Sequence, residues 1–207
     1  MTNDETRTNT LIRLTPCRNM AKGRALLAHL EGTGISGSEL YRVRDAESAD
    51  RMVELLKRTG RKARTFLPIH SKSEKIRIRI WYANETAPAL IASGPLPFPD
   101  DRDDVRRLFV MNLPPSLENA AADLAVTGRD GLSSEAEFFA SAEDRVIRLA
   151  EIPASARKRL TRLEQAVNWL ENDGCARVFL ARTLHGKDIG VCGNCSWCLG
   201  RPATFLP

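Results

Sequence analysis

Residues 174–200 read GCARVFLARTLHGKDIGVCGNCSWCLG. Three of the chain's five cysteines, Cys192, Cys195 and Cys198, stand here in a C-x2-C-x2-C spacing. A C-x2-C turn carries two thiols to the same side of a tight bend, and Gly193 and Asn194 are residue types that permit such a bend. Thiols gathered this way suit a metal ion. Zinc takes four ligands at tetrahedral corners, about 2.3 Å from each sulfur. The fourth ligand must come from outside the turn. Cys175, at the start of a predicted helix, is the candidate, and His185 and Cys17 are the other residues of suitable type.

Four thiolates around one ion leave no position for water, so such a centre holds structure and performs no metal chemistry. An iron–sulfur cluster is the competing reading, because the ferredoxin run C-x2-C-x2-C-x3-C-P opens with the same three cysteines. Residues 200–207 contain no further cysteine, so that run is not completed. A cluster with Cys175 as a remote ligand stays open. A disulfide framework would spread an even number of cysteines along a secreted chain. Here the number is odd, and the N-terminal MTNDETRTNT lacks the apolar stretch of a signal peptide. Cys17 reads as a half-buried thiol and His185 as a surface histidine.

Upstream of the turn, residues 143–150, 154–172 and 176–184 read as helices, with Pro153 between the first two. From Arg145 to Lys187 nine Lys or Arg stand against four Asp or Glu, within a chain of net charge +5 and pI about 9.1. This mild basicity is compatible with a nucleic-acid partner without demanding one. The hydrophobic fraction, 43%, is that of a globular protein. No apolar run reaches the roughly 20 residues of a membrane span. A soluble cytoplasmic protein is expected, nucleoid-associated if bacterial, with no membrane partner.

Before residue 141 the character differs. Residues 11–15, 40–43, 63–67, 88–93 (PALIAS), 105–112 and 135–139 read as strands, and 20–31, 48–58 and 117–126 as helices. Met52, Val53, Leu55 and Leu56 form the buried stripe of one helix, and Gly60 stops it. EGTGISGS (31–38) and the proline-rich GPLPFPDDRDD (94–104) read as loops. KIRIRIWY (75–82) alternates Ile76, Ile78 and Ile80, a period of two that favours a strand. Alternation of strands and helices predicts an α/β layer with a mostly parallel sheet. The expected organisation is a flexible tail over 1–10, an α/β lobe over 11–141 and a helical subdomain over 142–207.

The cysteine stretch resembles the zinc-binding subdomain of RecQ-family DNA helicases. In that family a helix opening on Cys and basic residues leads to a CG-x-C-x-x-C turn, and the C-x16-C-x2-C-x2-C spacing is the same here. Arg177 stands in the basic pair. Ala176 replaces its neighbour, residues 183–186 replace an aromatic-rich segment, and Ser196 replaces the usual Asp. Residues 105–144 resemble the end of the second helicase lobe, with a strand closed by Pro, a helix, then Gly128-Arg129-Asp130-Gly131 and a strand with Glu135-Ala136. PALIAS sits where the family has the strand before a glycine-rich, ATP-linked loop. LYRVRD resembles the lobe's first strand, and His70 matches a Y-H-A-G segment. The resemblance implies a degenerate RecA-like second lobe followed by a small helical zinc-binding subdomain, with Cys175, Cys192, Cys195 and Cys198 holding one structural zinc ion. It also implies a helix, not a strand, over 73–82.

ATP-driven helicases bind ATP between two lobes, the first carrying G-x-x-x-x-G-K-[ST] and an Asp-Glu pair for Mg²⁺. Neither occurs in this sequence, and 207 residues are expected to be too few for a first lobe. Of the second-lobe residues, the family's Gln falls on Ala122, its first Gly on Ala125 and its first Arg on Val126. Arg129 alone remains. No catalytic residue is assigned and no unaided use of ATP is expected. Arg129 is vestigial, serving either a partner's ATP in trans or the turn before Gly131.

The expected function is that of a zinc-containing, DNA-binding pseudo-helicase in recombination or repair, or a helicase accessory. Arg157, Lys158, Arg159 and Arg162, with Arg177 and Arg182, are the candidate phosphate contacts; a solvated face is the alternative for the RKR run. Trp169 and Trp197 are candidates for stacking on bases, with a place in the helix core as the alternative for Trp169. The other functional reading is an interaction subunit that completes a split helicase with a separately encoded first lobe or serves another repair protein.

Overall fold

The computed structural model describes residues 8–32, 37–96 and 102–200. Six strands form one parallel sheet in the order β1-β6-β5-β2-β4-β3. These are β1 (Thr10–Pro16), β2 (Ser38–Arg42), β3 (Ala63–Phe66), β4 (Ala89–Ala92), β5 (Val105–Val110) and β6 (Ser134–Ala140). Helices α1 (Lys22–Glu31), α2 (Ala46–Lys57), α3 (Lys72–Asn84) and α4 (Leu117–Leu124) join strands. Three more, α5 (Ala142–Ala150), α6 (Arg157–Leu170) and α7 (Ala176–His185), follow the last strand. The α/β class and parallel lobe expected from the strand–helix alternation are observed. Of the expected tail, residues 1–7 lie outside the described residues, and Thr10 already opens β1. Residues 33–36 and 97–101 of the two expected loops also lie outside them.

A parallel sheet is covered on both faces, so its strands are apolar on both sides. β4 is buried at all four positions. Tyr41, Ile91, Phe109 and Phe139 face α1 and α2 through Leu26, Leu30, Met52 and Leu56. Leu40, Leu90, Leu108 and Phe138 belong to the opposite layer, with Ile78 of α3, Leu117 of α4, Leu163 and Trp169 of α6, and Leu180 of α7. The helices after β6 thus share a core with the sheet.

The alternating isoleucines of 75–82 are helical. The start of α3 explains this: Ser71 and Glu74 form a reciprocal capping box, a signal that fixes a helix N-terminus whatever the downstream period. Ile78 and Tyr82, four apart, are buried, whereas Ile76 and Ile80 are exposed at 47% and 59%. The helix implied by the family resemblance is correct, and the period-two reading is overturned.

Charge is buried inside this frame. Glu39, 1% exposed, accepts from Arg107 at 3.0 Å, Arg61 at 2.7 Å and the Tyr41 hydroxyl at 2.7 Å. Two guanidinium groups and a hydroxyl satisfy the carboxylate, which makes its burial tolerable. Gly128 shows how closely the α4–β6 turn packs: at φ +57° a Cβ would lie 2.5 Å from Asn9 Nδ2 and from Ser134 Oγ. Asn9 Nδ2 donates there to the Gly128 and Leu132 carbonyls at 2.8 Å. Among the described residues no helix is long and apolar enough to cross a membrane.

Candidate metal centre

Cys175 ends the connection from α6 and is the N-cap residue of α7. Gly193, at φ +65°, allows the bend between Cys192 and Cys195. The four sulfurs of Cys175, Cys192, Cys195 and Cys198 lie within 4.8 Å of one another. Neither Cys17 nor His185 belongs to this group. Four sulfurs about 2.3 Å from one ion stand about 3.8 Å apart along each tetrahedral edge. Cys192 Sγ and Cys198 Sγ are 3.8 Å apart. A [4Fe–4S] cluster binds each thiolate to a different iron and a [2Fe–2S] cluster binds two thiolates to each of two irons; both spread the four sulfurs farther apart than they stand here, so the spacing fits one ion.

Backbone N–H groups point at these sulfurs, as thiolates require. Cys192 N–H donates to Cys175 Sγ, and Asn194 N–H to Cys192 Sγ, each at 3.4 Å. The neighbouring Cys192 thiol and the Cys198 and Ala176 amides hold the Cys195 thiol down to about 4, against burial, while Cys192, sharing its proton with Cys195, is pushed up. Cys175 and Cys195 are buried in the core, and Cys192 and Cys198 are half-buried. One side of the centre is therefore anchored and the other reaches the surface.

The turn also closes one edge of the sheet. Ile12 N–H of β1 donates to the Asn194 carbonyl at 3.2 Å, and Ser196 N–H donates to the Ile12 carbonyl at 2.8 Å. Leu14 N–H donates to Ser196 Oγ at 3.0 Å. Edge strands expose unpaired backbone groups, and here the cysteine turn satisfies those of Ile12 and the N–H of Leu14 in β1.

Arg177, expected among the nucleic-acid contacts, is only 3% exposed. It donates to the Thr10 carbonyl. Burial lowers its pKa, and attraction to Cys192, then to Cys175 and Cys195, opposes that shift. Four thiolates around a divalent ion carry two surplus negative charges, and a buried guanidinium offsets one of them. Arg177 is therefore buried beside the cysteines and is not placed as a surface contact. Trp169 is 0% exposed, donates from its indole N–H to the Ala176 carbonyl at 3.0 Å and meets Phe138 edge-on. It is core and cannot stack on a base, whereas Trp197 is 41% exposed.

Arg157, Lys158, Arg159 and Arg162 are all exposed on α6. Arg162 lies 3.6 Å from Glu118 of α4. Arg159 and Arg162 line a cavity of about 170 Å³ with Arg148, Ser116 and Asn119. Arg182 is exposed and paired with Asp188 at 2.7 Å. Arg129 is exposed in the α4–β6 turn.

A second donor group, His29, Glu135 and Glu137, was not legible in the sequence. Its imidazole lies between two carboxylates, Nε2 3.3 Å from Glu135 and Nδ1 3.0 Å from Glu137. Each nitrogen faces a different carboxylate, which is how an imidazolium bridges two anions, not how three donors converge on one ion. The close approach of the Glu135 and then the Glu137 carboxylate raises the His29 pKa to about 9.

The sequence is similar to the ATP-dependent DNA helicase RecQ of Bacillus subtilis, 23% identical over 157 residues, covering 73% of this chain and 27% of that protein. The chain thus spans about a quarter of that relative's length. No family model matches. The fold is similar to the C-terminal domain of the DEAD-box protein Dbp5, with TM-score 0.56, 20% identity, and coverage of 70% of this chain and 83% of that one. It is also similar to helicase domain 2 of the DEAD-box protein Mss116p, solved with an RNA duplex: TM-score 0.55, 10% identity, and coverage of 77% and 69%. The likeness to these two helicase domains is one of fold, a parallel α/β sheet with flanking helices.

Proposed function

We propose that this chain is a RecQ-like, zinc-containing DNA-binding protein whose own residues do not hydrolyse ATP. It consists of a degenerate lobe over 11–141 and a zinc-binding subdomain over 142–207. The observation that carries the reading is the four-cysteine cluster, built onto a second-helicase-lobe fold in a sequence similar to a RecQ helicase. Zinc is the ion this donor set favours, because four thiolates select a soft or borderline cation and the spacing suits one tetrahedral centre. When bound, it supplies structure: it ties the start of α7 to the turn, and the turn to β1.

DNA binding is assigned to α6. Arg157, Lys158, Arg159 and Arg162 project from one solvent-facing segment, where they neutralise phosphates without reading sequence. Arg182 contributes once released from Asp188, and Trp197 offers a stacking face. A role in recombination or repair inside the cytoplasm, or as a helicase accessory, follows from the same likeness. The test measures duplex and single-strand DNA affinity across salt concentrations, with metal content by elemental analysis. Replacing the four α6 cations with Ala is expected to reduce the slope of log affinity against log salt by about 0.9 per lost duplex contact. An unchanged slope removes α6 from the interface, and a wild-type chain without salt-dependent binding sinks the DNA reading.

A second reading rests on Arg129. It is the one retained second-lobe arginine, and it stands at the surface, where it would reach ATP held by a separately encoded first lobe. ATPase activity restored by such a lobe and lost in Arg129→Ala would support the split helicase.

A further inference from the structure

We propose that the open edge of β3 is a docking site for an extended, acidic segment of a partner protein, which joins the sheet as a seventh strand. The two edges of this sheet are treated differently. The cysteine turn covers β1, whereas β3 ends the strand order on the other side and, among the described residues, pairs only with β4. The Lys62 and Phe66 carbonyls accept from Ala89 and Ser93 on the β4 side. Backbone groups alternate sides along a strand, so Ala63 and Thr65 direct theirs outward. Such unpaired rows are templates for strand addition.

The edge lies in a groove of about 1060 Å³ whose lining includes Ala63, Arg64 and Thr65. Val53 and Leu55 of α2 line one side and Ile78 of α3 the other. A strand laid on β3 sends alternate side chains toward α2 and toward α3. The charge of the groove selects the partner. Arg58, Arg64 and Arg77 line it, and Arg64 is held 4.7 Å over the Trp81 ring. Of the acids there, Glu54 pairs with Lys57 and Glu74 closes the capping box with Ser71. Asp50 and Glu74, the latter attracted to Arg77, then stand against Arg58, Arg64 and Arg77, and neither Arg58 nor Arg77 has an ion pair within 4.0 Å among the described residues. Carboxylates on an incoming strand meet that excess of arginine.

The probe is a fluorescein-labelled octapeptide alternating valine and glutamate, followed by anisotropy with the full chain. Binding that weakens with salt is expected, with a loss of about tenfold or more for the lysine counterpart. N-methylation of every second residue, made in both phases, should cost about as much in at least one phase, because a backbone bond to β3 is lost. Thr65→Pro should do the same from the protein side, an edge strand being where proline is tolerated. The N-methyl peptides keep the test valid if that variant misfolds. Equal affinity for glutamate and lysine peptides, no effect of N-methylation in either phase, or no binding at about 1 mM would overturn the proposal. So would a concentration-dependent dimer abolished by Thr65→Pro, which would make a second copy the occupant.

Discussion

Replacing Cys195 with serine changes one atom at a site with no exposed surface, so its effect reports on the metal centre and not on packing volume. On the zinc reading the variant leaves three thiolates and an unpaired buried hydroxyl, and the ion dissociates. The residues on either side of Cys195 carry the contacts to β1: Asn194 O to Ile12 N–H, Ser196 N–H to Ile12 O, and Ser196 Oγ to Leu14 N–H. Three hydrogen bonds at about 1 kcal/mol each amount to roughly 3 kcal/mol. For a chain of this size that lowers the melting temperature by about 6–12 °C, at roughly 2–4 °C per kcal/mol. Elemental analysis, melting with and without a chelator, and hydrogen exchange at the Ile12 and Leu14 amides form the assay. The wild type should hold one zinc per chain, melt lower with chelator and protect both amides; the variant should show none of these. Retained metal with unchanged melting refutes the site assignment. Metal loss with full protection of Ile12 refutes the coupling of the centre to the sheet edge.

Glu39→Gln removes the buried negative charge that faces Arg61 and Arg107, a loss of about 3–5 kcal/mol for a broken buried pair; an unshifted denaturant midpoint would refute the network. His29 gives a pH dependence. Its folded pKa, about 9, lies above the ordinary 6.5, so its contribution is complete below pH about 6.5 and disappears as pH rises through about 9. Melting of the wild type minus that of His29→Gln should narrow across that window, and a constant difference would exclude the imidazolium bridge.

Several features were legible in the residues alone because they are local. The C-x2-C-x2-C spacing predicts a shared ion, since a tight turn fixes where its thiols point. PALIAS and the run after Val105 predict buried parallel strands, since both faces of such a strand must be apolar. The capping box at Ser71–Glu74 also announced α3, but the alternation of Ile76, Ile78 and Ile80 masked it. Periodicity records which side chains are apolar, not which face the tertiary structure buries.

Other features depend on distant partners, and only the fold decides them. Arg177 reads as one more surface cation until α7 sets it against the thiols and the Thr10 carbonyl. Trp169 becomes core when α6 lies over Phe138. Glu39, Arg61 and Arg107 are scattered along the chain, and strands β2 and β5 bring them together with the start of β3. Local chemistry determined that this protein gathers four cysteines able to hold a metal ion and builds a parallel α/β lobe. Which charges are buried, and that among the described residues one sheet edge is closed while the other is open, was decided by the tertiary structure, because burial and pairing belong to contacts between segments far apart in sequence.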